Sequence, residues 1–342
     1  MANVSSARLR RRFNAMAQRR LYYERKSEQP GRLARHEVWR HAYLAHPYLI
    51  GARDDRVAHR FRDVFLNVME IEPGGKLGPV PFARDDIYMQ TFTHLLEEYE
   101  FRLGGLPPDD VVQAAREPLV RYFEHGAPIG FKMFEGYSAP TTPVLVKYGK
   151  RQHLEPMLRH GDLKLSNAES YNNPALLDAA RDNETTRTFV YPTYKERMRD
   201  ESSTSFEGHT IDFGNDDFEI PLVFNDYYLF SLCECIHHRM ATDFNADAAL
   251  VIRDPKRFTQ ALTAAFAAQH PDWIGMSGKV VYYDPYRDRT KFRIPEMAKH
   301  FRYGYQREFR VAFRPRCEIA SELEPLYLSI GPMADYADLL LA

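Results

Sequence analysis

Apolar residues recur every three or four positions through the first third of the chain. One such run covers residues 57–68, and its apolar members share one face of a helical repeat: Val57, Phe61, Val64, Phe65 and Val68. Glycine and proline pairs at 104–105 and 107–108 interrupt the pattern, and Asp109-Asp110 is a typical helix start. The pattern predicts a helical N-terminal domain, residues 1–135, with about five helices.

The repeat changes from helical to strand-like after about residue 140. Strand-like runs are "PVLVKYG", "YYLFSLCECIHH", "AALVIRD" and "REFRVAFRP", and amphipathic helices are predicted at "QHLEPMLRHG" and "DPKRFTQALTAAFAAQHP". Residues 178–218 are polar and predict loops with one helix at most. We therefore expect a sheet-rich second domain over residues 140–330, and an α+β fold for the chain.

Composition is typical of a folded globular protein. The chain is 44% hydrophobic and 13% aromatic, which is enough for packed cores. Its formal net charge of -1 says nothing for or against an anionic partner. We expect no membrane association, because there is no bilayer-length apolar run and no apolar segment of a secretory signal. Three cysteines, an odd number, do not suggest a disulfide framework. The expected compartment is the cytoplasm.

Positive charge is concentrated at the start of the sequence. Residues 1–40 contain eleven Arg or Lys and three Glu. Six arginines form a candidate nucleic-acid-binding arm: Arg8, Arg10, Arg11, Arg12, Arg19 and Arg20. Such an arm can neutralise the phosphates of DNA or RNA. The solvated face of a helix has the same composition, so both interpretations are open.

A Gln-x-Glu pair stands out in the strand-like run "YGYQREFRVAF", residues 303–313. A two-residue repeat places its apolar residues on one face and three polar residues on the other: Gln306, Glu308 and Arg310. Arg310 can then hold the Glu308 carboxylate in place, whereas Arg307 projects to the opposite face. A half-exposed strand with a solvated polar face has the same pattern.

Polar side chains also follow the strand "PVLVKYG" and the next strand. Lys147 and Tyr148 end the first strand, and a second group follows the helix after it: Ser166, Asn167, Ser170, Tyr171 and Asn172. A cation together with hydroxyl and amide groups suits a ligand that contains phosphate and ribose. A lysine at a strand end beside a polar turn is the alternative interpretation.

Other common chemistries lack their usual motifs. Cys233, Cys235, His237 and His238 are zinc-ligand types, but strand spacing separates them too widely for one ion and no second pair accompanies them. No metal site is therefore expected. A Gly-x-Ser-x-Gly elbow, a phosphate-binding P-loop and a GxGxxG fingerprint are all missing from the sequence.

In order along the chain, four motifs resemble a bacterial family catalogued mainly as a domain of unknown function. These are Lys147-Tyr148, "LRHGDLKLSNAESYNNP", "FSLCE" and "YQREFRVAF", and the resemblance covers roughly residues 142–315. That plan is similar to the ADP-ribosyltransferase fold, including the DNA-modifying DarT-like enzymes. The resemblance implies that Lys147 contacts NAD, Ser231 lies near the nicotinamide ribose and Glu308 is the catalytic glutamate. Ser203-Thr204-Ser205 resembles the Ser-Thr-Ser motif of arginine-type enzymes, but Ser231 is preferred.

The resemblance also implies a mechanism and a type of acceptor. A fixed carboxylate at Glu308, facing an enclosed cleft across from Lys147, would stabilise an oxocarbenium-like ribose and bind its 2'-hydroxyl. Gln306 occupies a position that resembles the target-orienting residue of the transferases. An amide there suggests a neutral acceptor such as a nucleobase, and the basic arm supports a nucleic acid.

The leading hypothesis is transfer of ADP-ribose from NAD, a substrate here, to a nucleic acid or protein. The chain would be a cytoplasmic bacterial toxin or phage-defence effector, with an antitoxin protein as a candidate partner. One rival is a non-catalytic module that binds a nucleotide or nucleic acid. Another is a metal-dependent nuclease that uses the acidic residues Asp212, Asp216, Asp217 and Glu219.

Overall fold

A computed structural model describes most of the chain. The described residues are 5–28, 33–71, 76–79, 86–122, 127–199, 203–206, 209–212, 216–288, 294–317 and 322–342. Contacts divide the chain into two compact units: residues 1–70, 77–118 and 188–220 form the first, and residues 71–76, 119–187 and 221–342 form the second. The domain limits predicted from the sequence, 1–135 and 140–330, are not the limits of these units and stay a prediction.

The chain is a mixture of helices and strands, as its residue pattern predicts. The helices in the described ranges are α1 (Ser6–Ser27), α2 (Arg35–Ala45), α3 (Asp54–Val68), α4 (Asp86–Leu103), α5 (Asp109–Arg121), α6 (Ala127–Met133), α7 (Arg151–His160), α8 (Tyr194–Met198), α9 (Arg239–Asp243) and α10 (Pro255–Gln269). Short 3-10 helices cover Ala168–Asn172, Pro295–Met297 and Phe301–Gln306.

The strands in the described ranges are mostly short. They are β1 (Met69–Ile71), β2 (Leu77–Pro79), β3 (Leu145–Gly149), β4 (Asp162–Asn167), β5 (Thr186–Tyr191), β6 (Ser203–Phe206), β7 (His209–Asp212), β8 (Phe218–Val223), β9 (Tyr228–Cys233), β10 (Ala248–Ile252), β11 (Trp273–Lys279), β12 (Val281–Tyr283), β13 (Ala298–His300), β14 (Glu308–Pro315), β15 (Leu326–Ser329) and β16 (Ala337–Leu341).

Local chemistry explains where the helices of the first unit begin and which side they bury. The Ser5 side chain accepts a hydrogen bond from the Arg8 backbone and caps α1. In α3 the apolar face predicted from the sequence is buried at Val57, Phe61 and Val64. No helix in the described ranges is both long and apolar enough to cross a bilayer.

An antiparallel sheet forms the centre of the second unit. Its main order is β11-β14-β9-β3-β10-β16, and β4 joins β9 and carries β15 at its other edge. One edge of β9 is divided between two partners: Tyr228 and Leu229 pair with β4, whereas Cys233 pairs with Val146 of β3. The sheet is therefore split alongside residues 230–232.

The two faces of this sheet bury different residues because successive side chains alternate. On one face Leu145, Phe230 and Phe313 pack with Phe258 and Phe266 of α10. The second face carries the smaller core around Val146, Tyr148 and Cys233. The neighbouring cluster of Leu229 and Ala312 belongs to that second face too. Since Glu308 and Arg310 are four and two residues before Ala312, they project from the second face.

Gly161, which follows the last residue of α7, is the glycine among those described where a side chain should be tolerated least. Its φ is +74°, and a Cβ built on it would lie 2.1 Å from the backbone oxygen of Gly331. We expect Gly161→Ala to lower the free energy of unfolding by about 3 kcal/mol, since left-handed strain and a backbone clash add. Urea unfolding followed through Trp273 fluorescence measures it.

Gly331→Ala is the matched control for this substitution. Gly331 also has a positive φ, +81°, but nothing lies within 4 Å of a Cβ built there. We expect a loss of only about 1–2 kcal/mol, from backbone strain alone. Equal losses in the two variants would show that the clash with Gly331 is relieved at no cost.

Candidate functional site

A cavity of about 160 Å³ opens in the second unit beside the split in the sheet. Six of the predicted site residues line it: Lys147, Tyr148, Tyr171, Ser231, Gln306 and Glu308. Glu184 and Lys299, which the sequence analysis did not select, line it as well. Strands β3, β9 and β14 supply the floor residues, and the segment 171–184 supplies another wall.

Glu308 is the first residue of β14 and is buried, with 5% of its surface exposed. The Ser231 hydroxyl donates to its Oε1 at 2.6 Å, and Arg310 Nε donates to the same oxygen at 2.6 Å. Lys299 Nζ donates to Oε2 at 2.9 Å. Burial by itself would raise the pKa of Glu308, but Arg310 and Lys299 outweigh burial and lower the pKa to about 2. Glu308 is therefore a fixed, ionised carboxylate.

Arg310 is bonded to other groups of the protein, and its assignment as a cofactor-binding residue stays a prediction. Its side chain has no exposed surface, and it donates two hydrogen bonds to Glu184, at 2.8 and 2.5 Å. It also donates to Glu308 and to the Glu296 carbonyl oxygen at 3.0 Å. Because its donors are bonded to protein oxygens, Arg310 positions Glu308 from behind the cavity.

Glu184 links this pair to a second buried arginine. Arg187 donates to its Oε2 at 2.7 Å, and the Tyr227 hydroxyl donates to the same oxygen at 3.1 Å. Burial raises the pKa of Glu184, but Arg310 and Arg187 together hold it well below its usual range. A network of buried carboxylates and guanidinium groups therefore lies beside the cavity, in the order Glu308, Arg310, Glu184, Arg187.

Lys299 is one of the two charged site residues that sequence reasoning missed. Its ammonium donates to Glu308 and to Gln306 Oε1, at 2.9 and 3.0 Å, and lies 4.6 Å from the centre of the Tyr303 ring. It belongs to β13, a three-residue strand in the run "AKH". That run has no periodic pattern and no motif, so the sequence contains no signal that marks Lys299.

Lys147 lines the same cavity as Glu308. The sequence analysis predicts that the two residues face each other across a cleft, and in the structure they do not. Its ammonium donates to the backbone oxygen of Ser231 at 2.8 Å and lies 4.5 Å from the Phe230 ring centre. Alternation along β3 places it on the face of Leu145, opposite to Glu308. It reaches the cavity through the split in the sheet. Burial lowers the pKa of Lys147.

The other predicted binding residues divide into two groups. Tyr148 and Tyr171 line the cavity, and burial raises the pKa of Tyr171 to about 12. Ser166 and Asn167 pair with β9 and lie outside the cavity lining. The Asn167 amide donates to Asp226 at 2.9 Å, so it supports a turn. The hydroxyl of Tyr148 accepts the His237 backbone N–H at 2.9 Å.

Gln306 lies beside Glu308. The prediction that the two residues share one strand is wrong. It ends the 3-10 helix, and Arg307 has a left-handed φ of +47° that separates it from β14. Its amide nitrogen donates to the Ala179 oxygen at 2.7 Å, and its amide oxygen accepts from Lys299. With 3% of its surface exposed, Gln306 connects the cavity wall to Lys299.

The predicted basic arm is the folded helix α1. Arg12 is 7% exposed and lies 3.6 Å from Glu98, so it is not available to a phosphate in solvent. Arg19 pairs with Glu97 at 3.3 Å, and Arg20 with Glu24 at 3.1 Å. Arg10 donates to the Met198 backbone oxygen at 2.7 Å. Arg8 and Arg11 are exposed, and no ion pair joins either of them to a carboxylate in the part of the chain that the structure describes. Their contact with nucleic acid stays a prediction.

Two of the four acidic residues of the nuclease hypothesis pair with arginines. Asp216 lies 3.5 Å from Arg53 and 3.1 Å from Arg56, and Glu219 lies 2.8 Å from Arg56. The side chain of Asp212 is outside the described residues. Within the described ranges no group of three or more His, Cys, Asp or Glu could hold a metal ion. The cysteines there are free thiols.

The charge of Glu308 should make the free energy of unfolding depend on pH in the acid range. Because the folded-state pKa of Glu308 is about 2 and its usual value is 4.5, its contribution to stability is complete above about pH 4.5 and is lost as pH falls toward 2. We expect Glu308→Gln to reduce the loss of unfolding free energy over that pH interval, by on the order of 2 kcal/mol. Urea unfolding at pH 2.5, 3.5, 4.5 and 6 measures this difference. Parallel curves for the two proteins would contradict it.

Comparison of the chain with protein-family models, curated proteins and solved structures found no match in any of the three.

Proposed function

We propose that the second unit transfers ADP-ribose from NAD to an acceptor. The observation that supports the proposal most is the pair of Ser231 and Glu308, with an oxygen-to-oxygen distance of 2.6 Å, in the wall of a cavity. The pair combines an ionised carboxylate with a hydroxyl that orients it. Lys147 carries no part of the argument, since its ammonium is bonded to the Ser231 backbone.

The reaction needs one negative charge near the ribose. The bond between C1' and the nicotinamide nitrogen breaks, and its electron pair leaves with nicotinamide. C1' then bonds to a nitrogen or oxygen of the acceptor, which loses a proton. Between these steps the ribose carries positive charge, which the Glu308 carboxylate stabilises while it accepts a hydrogen bond from a ribose hydroxyl. Ser231 and Arg310 keep the carboxylate in its position.

The cavity has the right size for the reacting end of such a substrate. Its volume of about 160 Å³ is close to that of an engineered protein cavity, about 150 Å³, that binds benzene. A single aromatic ring such as nicotinamide therefore fits, with Tyr148 and Tyr171 in the lining. The rest of the dinucleotide would extend toward the cavity mouth.

The structure constrains the identity of the acceptor less than the identity of the residues that would act on NAD. Gln306, the predicted target-orienting residue, uses its amide within the protein. We keep a nucleic acid as the preferred acceptor because Arg8 and Arg11 are exposed on α1. A protein acceptor is the alternative. In either case the proposed role is a toxin or phage-defence effector with an antitoxin partner.

A non-catalytic nucleotide-binding module is the second candidate function. It is favoured by the two cations on Glu308, because Lys299 and Arg310 already neutralise the charge that the transition state requires. Such a module would bind NAD or another nucleotide in the cavity without cleaving it.

Incubation of the full chain with NAD labelled in two places tests both candidates. One label is on nicotinamide and reports cleavage, and the other is on adenine and reports transfer to separate pools of DNA, RNA and protein. We expect nicotinamide release together with adenine label in one pool. NAD binding without nicotinamide release would support the nucleotide-binding module. If the chain neither bound NAD nor released nicotinamide, the ADP-ribose transfer proposal would be overturned.

A further inference from the structure

The two cations on Glu308 are held very differently. Arg310 donates to two carboxylates and one carbonyl and has no exposed surface. Among the described residues, Lys299 donates to two side-chain oxygens, one of Glu308 and one of Gln306, and its ammonium sits on a flexible four-carbon stem. Of these two cations, Lys299 is therefore the one that can leave Glu308.

A second carboxylate, Asp182, interacts electrostatically with Lys299, and no salt bridge joins it to a cation within the described residues. Asp182 Oδ2 is shielded from solvent and has no hydrogen-bond partner within the described residues. The same segment accepts hydrogen bonds at the Ala179 and Arg181 carbonyl oxygens, from Gln306 and Tyr303. Gln306 and Tyr303 also contact the Lys299 ammonium.

The electrostatic surroundings of Asp182 agree with this geometry. Burial, followed by the Glu184 charge, raises the pKa of Asp182 to about 6, and Lys299, Arg187 and Arg310 act in the opposite direction. A buried carboxylate oxygen without a donor carries a free-energy cost that an arriving ammonium would remove. Asp182 is thus a ready acceptor for a displaced lysine.

We propose that Lys299 is a movable counter-ion that passes from Glu308 to Asp182 when a substrate hydroxyl takes its place on Glu308 Oε2. The substrate part rests on the proposed function, whereas the exchange between the two carboxylates does not. Lys299 keeps the buried charge of Glu308 paired while no substrate is bound, and after the exchange it is paired with Asp182. Glu308 is then left with Arg310 and Ser231 and can stabilise positive charge on the ribose. Lys299 and Asp182 are positioning residues in this scheme.

The exchange can be tested without any substrate by weakening the hold of Glu308 on Lys299. In Glu308→Gln the charge is removed, so we expect Lys299 Nζ to lie within about 3 Å of Asp182 Oδ2 in a crystal structure. We also expect the Asp182 pKa, followed by ¹³C NMR of the carboxyl carbon, to fall by about one unit or more. Lys299 still bonded to residues 306 and 308, with an unchanged Asp182 titration, would overturn the proposal.

Two further proteins complete the design. Glu308→Asp keeps the negative charge opposite Arg310 but withdraws it by one methylene, and it replaces Glu308→Gln if that variant does not fold. We expect the same change of partner there, with a smaller fall in the Asp182 pKa. Glu322→Gln makes the same chemical change at an exposed carboxylate and should leave Asp182 unchanged.

Addition of NAD to the unaltered chain separates this inference from the proposed function. If NAD occupies Glu308, the Asp182 pKa should fall as it does in Glu308→Gln. Exchange in the variant without an effect of NAD would retain the inference and remove NAD as the ligand. Binding and cleavage of NAD with Lys299 still on Glu308 would retain the function and overturn the inference.

Discussion

Glu308→Gln should reduce release of nicotinamide from NAD by about 10²–10³-fold or more. The substitution keeps the shape of the side chain and removes the charge that stabilises the oxocarbenium-like ribose, and losses of this size follow removal of one preorganised electrostatic group. The chain should remain folded, since Glu184 keeps Arg310 paired and the amide oxygen can still accept a hydrogen bond. Steady-state assays of nicotinamide release, with circular dichroism of the same samples, measure both expectations.

The exposed Glu322→Gln variant is the control for this experiment and should retain full activity. If the chain arrests growth when expressed in bacteria, Glu308→Gln should relieve the arrest and Glu322→Gln should not. Turnover within about tenfold of the unaltered chain in Glu308→Gln would remove Glu308 from the mechanism, because a required charge cannot be lost at so small a cost.

Alternation within one strand was enough to predict that Glu308 and Arg310 share a face of the sheet. The two-residue repeat of β14 places Glu308 and Arg310 on one face, and the structure shows them in contact there at 2.6 Å. Ser231 faces Glu308 because Arg310 pairs with Ser231 in the register of β14 and β9. The sequence suggested that second step only through family resemblance, since register between distant strands is not a local property.

The same reasoning failed for Gln306 because of the backbone at one residue. Arg307 adopts φ +47°, which a non-glycine residue rarely does, so the strand begins at Glu308 and the alternation does not extend to Gln306. The sequence "YGYQREF" contains no glycine or asparagine at position 307 that would have signalled a left-handed residue.

Lys299 and Glu184 could not be predicted because their importance comes from contacts between distant segments. Glu184 is 126 residues from Arg310 along the chain, and its bonds to that arginine are absent from any local pattern. The polar run 178–218, predicted as loops with one helix at most, contains the strands β5, β6 and β7 for a related reason: β5 pairs with β8 and β6 with β7, and most residues of these three strands are polar. The helices of the first unit were easier, since their apolar period is contained within each segment.

Arg310→Met should lower the free energy of unfolding by about 3–5 kcal/mol, the usual cost of breaking a buried ion pair by removing one partner. Arg310 is fully buried between Glu184 and Glu308, so the substitution leaves two buried carboxylates with one cation fewer. Trp39 and Trp273 are the two tryptophans of the chain. Urea unfolding followed by fluorescence in a Trp39→Phe background therefore reports on the second unit.

Arg257→Met is the matched control in the same unit and the same background. Arg257 pairs with Asp335 at 2.6 Å, but the two side chains are 51% and 61% exposed. Water screens such a pair, so its loss should cost about 1 kcal/mol or less. If Arg310→Met were no more destabilising than this control, the buried network would not hold the Glu308 carboxylate in place. Ser231 and Lys299 would then be the groups that fix it.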